Sequence, residues 1–231
     1  MTVELIAVEG IPEVRPGDDI ATLIAAATQV RTGDVVVVTQ KIVSKAENRL
    51  VAVDPDDPVA HKAIVEEESV RVLRRRGDLV ISETRHGFVC ANAGVDRSNL
   101  EDGVAALLPR DSDRSARRIR DRLKDATGAQ VGVIVSDTFG RAWRKGLVDV
   151  AIGCAGIAAL VDLRGSEDAK GHELQVTEVA VADEIAAAAE LVMGKADGVP
   201  VAIVRGVAAG WLRESSVREE IVRDPAEDLF R

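Results

Sequence analysis

Residues 131–146, VGVIVSDTFGRAWRKG, begin as a short apolar run and break into an acid, a hydroxyl, a glycine and three cations. Val131, Val133, Ile134 and Val135 predict a buried strand, because β-branched side chains pack well on a pleated surface. Asp137 and Thr138 then fall at its carboxyl end, where sheet proteins with helices gather ligand-binding loops on a rigid support. A carboxylate beside a hydroxyl offers oxygen ligands to Mg²⁺ or Mn²⁺, and Gly140 permits close backbone approach. Arg141, Arg144 and Lys145 reverse the local sign in a chain of formal net charge -9, the pattern of an anion site. The plainer alternative is a polar turn in which Asp137 caps the next element.

Upstream, Val35 to Val38 is a continuous β-branched run, the signature of a strand buried on both faces. It leads into TQKIVSKAE, residues 39–47. Continued as a strand, this puts Lys41, Val43 and Lys45 on one face, so that both ammonium groups reach one anion; an edge guarded by lysines is the alternative. Between the two stretches lies ANAGVDRSN, residues 91–99. There the backbone can approach a phosphate, Asp96 can ligate a metal, and Asn99 can bond a ligand oxygen or base, although plain turns share this composition.

The rest of the chain reads as interspersed strands and helices. Val3–Val8 is a first strand, residues 10–17 a rigid Pro- and Gly-containing loop, and Asp18-Asp19 the head of a helix to about Val30. Asp57–Arg76 reads as a helix whose Arg74-Arg75-Arg76 offsets its C-terminal dipole. Leu79–Ser82 and Gly87–Cys90 form a strand pair, and Asp111–Gly128 a charged helix. Small apolar residues over Gly146–Val161 read as a close-packed helix followed by a strand, and Asp162–Glu173 as a polar loop. Thr177–Lys195 is the strongest helical segment, Val199–Val204 a last strand, and the residues beyond Trp211 an appendage. The expectation is an α+β or mixed fold, one compact unit over residues 1–231, with two intertwined lobes as the alternative.

Composition narrows the function classes. With 46% hydrophobic and 30% charged residues the chain is ordinary for a globular protein, and no apolar run approaches the roughly 20 residues that span a bilayer. The first residues lack a basic, apolar leader, so the expected location is the cytoplasm. The acidic balance, with two Trp, three Phe and no Tyr, argues against a nucleic-acid partner. Cys90 and Cys154 read as buried free thiols, and His61, His86 and His172 have no partner at metal-binding spacing. P-loop, Rossmann, zincin and nucleophile-elbow motifs are lacking. Asp96 and Asp137 on separate loops, beside Ser98, Asn99 and Thr138, can instead hold one or two divalent ions that bridge phosphates. Lys41, Lys45 and Arg141 then offset the remaining charge, as phosphoryl transfer requires.

Taken in order, GIPEVRPGDD, VVVVTQKIVSKAENR, NAGVDRSN, SDTFGRAWRKG and TEVAVADEIAAAAELVMG resemble the coenzyme F420:L-glutamate ligases, also called F420-0 γ-glutamyl ligases, from about Leu5 to Gly206. The chain looks like the stand-alone form, without the nitroreductase-like domain fused to some relatives. The resemblance implies an intertwined α+β homodimer that uses GTP to add L-glutamate, and further γ-linked glutamates, to the deazaflavin precursor F420-0. Two Mg²⁺ or Mn²⁺ ions and an activating K⁺ are implied with it. By motif matching, Ile11, Pro12, Glu13 and Val14 line the GTP site, and Gln40, Lys45 and Asn99 contact the nucleotide. Asp96 and Asp137 ligate one metal and Thr138 a second, while Asp137 and Arg141 serve catalysis. The family often has serine where this chain has Gln40, and MGQ where it reads Met-Gly-Lys195. The implied chemistry is phosphorylation of the acceptor carboxylate to an acyl phosphate, then attack by the glutamate amine. A GTP-binding sensor or scaffold without ligase activity, and a small-molecule kinase, are the rival readings.

Overall fold

The computed structural model describes residues 2–57 and 59–228. In chain order its elements begin with β1 (Glu4–Ala7), α1 (Ile20–Ala27), β2 (Val35–Thr39), α2 (Gln40–Ala46) and β3 (Leu50–Ala52). They continue with α3 (His61–Glu68), β4 (Ser69–Arg76), β5 (Leu79–Thr84), β6 (Val89–Ala91) and β7 (Val104–Ala106). The last part holds α4 (Ser112–Thr127), β8 (Gly132–Gly140), β9 (Leu147–Ala155), β10 (Val161–Asp162), β11 (Glu178–Val179), α5 (Val181–Met193), β12 (Val201–Arg205) and α6 (Val217–Glu220).

The main sheet runs β1-β12-β2-β8-β9, with β2 and β8 parallel and every other pair antiparallel. Its centre is where the sequence is most continuously β-branched, and both faces there are covered, as such runs require. Val36, Val38, Val133 and Val135 face Ile20 and Ile24 of α1 and Ile119 and Leu123 of α4. Val35, Val37 and Ile134 face Ile185, Ala186, Ala189 and Met193 of α5. The result is a three-layer α+β fold built around a mixed sheet, with smaller sheets β4-β5-β6, β3-β7 and β10-β11 beside it.

β9 corrects the helix expected after Gly146. Its small residues serve close packing of helices onto a strand, not a helix of their own. A Cβ added at Gly153 would lie 2.2 Å from the Ser112 carbonyl carbon and 2.6 Å from the Asp113 amide nitrogen. β9 is also an edge, and two carboxylates occupy its outward N–H groups: Asp113 accepts from Cys154 at 2.8 Å and Asp183 from Ala151 at 2.9 Å. Edges left bare are templates for aggregation, so this pairing both caps and anchors the sheet. Asp113 accepts as well from the amides of Val217, at 2.9 Å, and Arg218, at 3.2 Å. Through it the segment beyond Trp211 joins the core, with Val217 fully buried, so the expected appendage is an integral part of the fold.

Two other expectations change. The 57–76 helix ends at Glu68, where the Ser69 hydroxyl bonds Val65 O at 2.6 Å and the Ser82 hydroxyl at 2.8 Å. The basic triplet therefore lies in β4, with Arg74, Arg75 and Arg76 opposite Ile81, Val80 and Leu79. Residues 39–47 form helix α2 rather than more strand, and Lys41 and Lys45 are one helical turn apart. The parts of the earlier expectations that fall on residues 1, 58 and 229–231 lie outside the described residues.

Candidate active site

Because β2 and β8 are parallel and in register at Thr39 and Ser136, their carboxyl ends lie at the same end of the sheet. Ligands in such sheets collect there. A cleft of about 720 Å³ opens at this end, of the size that small-molecule sites have. Four further segments close around it: the 11–14 loop, α2, the 91–99 loop and the 194–200 loop after α5. Ile11, Pro12, Glu13, Val14, Gln40, Lys45, Asp96, Asn99, Asp137 and Thr138 all line this cleft, so residues up to 127 positions apart in sequence meet in one place.

Arg141 is placed otherwise. It lies toward the tip of the β8–β9 hairpin, exposed and outside the cleft lining, and its guanidinium donates to Lys145 O at 2.6 Å. Asp137 and Thr138 also differ from expectation. They stand within β8, not in a loop, because the strand runs on to Gly140 in a hairpin that sets Asp137 opposite Val150 and Thr138 opposite Asp149. The pleat turns Ser136 and Thr138 to one side and Asp137 to the other, so the strand end presents two faces to the one cleft.

On the Asp137 side, Asp96 is held in an Asx turn, accepting from the Ser98 amide at 2.7 Å. Lys41 Nζ lies 2.8 Å from the other Asp96 oxygen and also donates to Ser98 O and Oγ at 2.6 and 2.7 Å. Burial raises the Asp96 pKa, but the Lys41 and Ser98 hydrogen bonds and the Lys41 charge outweigh it, leaving the carboxyl below its ordinary value. Asp137 has no such cation. Its carboxylate accepts from the Thr138 amide at 2.8 Å, and burial first, then the charges of Asp96 and Asp149, push its pKa up to about 7. Lys45 is nearly buried, 2.5 Å from Glu13 Oε1, with Asn99 O at 3.5 Å. Gln40 lines the cleft while its amide nitrogen points into the protein, donating to Ser44 Oγ at 2.7 Å and Leu107 O at 3.1 Å.

The other side holds three groups that sequence reasoning did not assign. Asp149 is 1% exposed at its side chain, and its carboxylate accepts from Ser136 Oγ at 3.1 Å and from the Thr138 hydroxyl. Lys195 Nζ donates to Thr138 Oγ1 and lies 3.0 Å from Asp149 and 3.3 Å from Glu190. Burial, then the Asp149 charge, keep Glu190 above its ordinary pKa despite Lys195. A lone acid inside the apolar run LVDVAIGCA was the available signal for Asp149. Nothing in the local sequence marks Glu190, on a helix about 40 residues away.

Among the described residues, no group of three or more His, Cys, Asp or Glu side chains forms a ready-made metal cage. Asp96 and Asp137, which line one cleft and of which Asp137 has no ion pair among the described contacts, fit a single hard ion that keeps waters and takes further oxygens from a bound phosphate. No helix among the described residues is long and apolar enough to cross a membrane.

Fold and cleft define an α+β protein with an open small-molecule site lined by acids and lysines at the carboxyl end of a mixed sheet. A family model described as F420-0:Gamma-glutamyl ligase matches residues 10–206, and the chain belongs to that family. It is 46% identical to a protein named coenzyme F420:L-glutamate ligase from Methanothermobacter thermautotrophicus, over the whole of both chains. A protein of the same name from Methanopyrus kandleri is 43% identical, over 97% of each chain. One from Archaeoglobus fulgidus is 42% identical, over 100% of this chain and 97% of its own.

Proposed function

We propose that this chain is a ligase of coenzyme F420 biosynthesis, joining L-glutamate to F420-0 through a γ-glutamyl amide, with GTP as the phosphoryl donor. The observation that carries the reading is the meeting of Asp96, Asp137, Lys41 and Lys45 in one cleft, in a chain of this family. The family's description supports F420-0 as acceptor and the γ-glutamyl link, and the relatives' shared name supports L-glutamate as the amino acid.

Lys41 and Lys45 would receive the polyphosphate, exchanging part of their pairing with Asp96 and Glu13 for phosphate oxygens. The 11–14 loop and Asn99 line the space for the rest of the nucleotide. Asp96 and Asp137 would hold one Mg²⁺ or Mn²⁺, which when bound supplies charge neutralisation at the phosphates. A carboxylate oxygen of F420-0 attacks the γ-phosphorus and GDP leaves, giving an acyl phosphate. The neutral glutamate amine then attacks the acyl carbon, forming the C–N bond as the C–O bond to phosphate breaks, and the nitrogen's proton leaves with the phosphate. Most of the protein's contribution is positioning and electrostatic compensation rather than covalent chemistry.

Asp137→Ala is the direct test. Turnover should be abolished while circular dichroism and melting stay native, since Asp137 makes no long-range bond among those described. Near-normal turnover at saturating metal would sink the assignment.

A further inference from the structure

Lys195 reaches the cleft from the loop after α5, where Gly194 turns the chain with φ 63° and Asn99 Nδ2 holds Lys195 O at 3.4 Å. Its ammonium ends among three oxygen-bearing side chains, Thr138, Asp149 and Glu190. A carboxylate as buried as Asp149 needs a counter-charge, and Lys195 supplies it. Thr138, Asp149 and Glu190 also form the donor set of a hard divalent ion: one hydroxyl and two carboxylates. An ammonium and such an ion cannot share these oxygens, because like charges at contact distance repel. The resemblance implies a second metal on Thr138, and the residues present do not fit one.

We infer that Lys195 is a tethered substitute for a second divalent cation: its ammonium holds the Thr138, Asp149 and Glu190 oxygens, so the chain takes one exchangeable ion, at Asp96 and Asp137, instead of two. The inference rests on the proposed reading of Asp96 and Asp137 for the identity of that first ion. Being part of the chain, the substitute is present whatever the metal concentration. It brings one positive charge to two carboxylates where a metal would bring two.

The test counts ions without measuring activity. The full chain, as wild type, Lys195→Gln and Lys195→Ala, is titrated with Mn²⁺ alone, with free Mn²⁺ followed by electron paramagnetic resonance. Lys195 is 57% exposed at its side chain, so both variants should fold, which thermal melting verifies. The expected result is one Mn²⁺ per wild-type chain and two per variant chain, with Mn²⁺ raising the melting temperature of the variants more than that of the wild type. Two ions on the wild type would overturn the inference, as would one ion on the wild type and on both variants. No ion on the wild type but one on the variants would support the exclusion by Lys195 while defeating the metal assignment at Asp96 and Asp137. No ion on any of them would defeat both.

Discussion

Asp113→Ala removes the carboxylate that joins α4, β9 and α6, and its cost follows from the bonds it deletes. Asp113 is 7% exposed and accepts from three backbone amides, of which those of Cys154 and Val217 are buried. Hydrogen bonds to a charged partner contribute about 1.5–3 kcal/mol each, and a buried amide left unpaired costs about 1–3 kcal/mol. Allowing for non-additivity among bonds that share one acceptor, the substitution should cost about 3–5 kcal/mol, out of a total of about 5–15 kcal/mol for an ordinary domain. In urea, at an m-value of about 3 kcal/mol/M, the midpoint falls by roughly 1–1.7 M with m unchanged. Asp113→Asn keeps one acceptor oxygen and should lose about half as much. Asp113 is absent from the cleft lining, so turnover per folded molecule should not change. A loss below about 1 kcal/mol in the alanine variant would refute the claim that this carboxylate ties the edge strand and the C-terminal segment to the core.

Two further outcomes are expected. Lys45→Ala should raise the GTP KM by about 10- to 100-fold, the loss of one charged hydrogen bond, with kcat less affected; an unchanged KM would count against its role at the phosphates. The Cys154 thiol is pushed up to about 12, by burial first and the Asp113 charge next, from an ordinary value near 9. The folded chain holds this proton more tightly than the unfolded one, so the stability it confers is intact below pH 9 and is lost as pH rises toward 12, at about 1.4 kcal/mol per pH unit. Between pH 9 and 10.5 the wild type should thus lose about 2 kcal/mol more than Cys154→Ala, measured by urea midpoints, and equal losses would contradict it.

The central strands were legible because Val35–Val38 and Val131–Val135 are β-branched without interruption, which the two-sided burial of β2 and β8 explains. The 57–76 segment misled because Val70 and Leu73, three apart, imitate a helical face while lying exposed on β4. Residues 39–47 show a different failure. Positions 41 and 45 share a side in a strand and in a helix alike, so the two lysines meet at the cleft although the element was read wrongly. Gly146–Val161 was opaque because its alanines and glycines answer to α4 and α5 packed on the strand, which no local pattern reveals.

The site followed the same division. Asp96 and Asp137 stood out as acids beside hydroxyls and glycines, and the fold brings both to one cleft. Arg141 drew attention by standing four residues from Asp137, but the hairpin carries it away from the cleft. The Asp149–Lys195–Glu190 cluster is assembled by the pairing of β8 with β9 and by the turn after α5, so although Asp149 stands out as a lone acid in an apolar run, its partners do not show in the local sequence.

The central claim is most directly tested by incubating the full chain with GTP, Mn²⁺, F420-0 and L-glutamate, omitting each in turn, and weighing the product. The account predicts a product heavier by one glutamyl unit or more, with GDP and phosphate released, and none of it when any component is left out. GTP binding without a glutamate-dependent mass increase or phosphate release would contradict it.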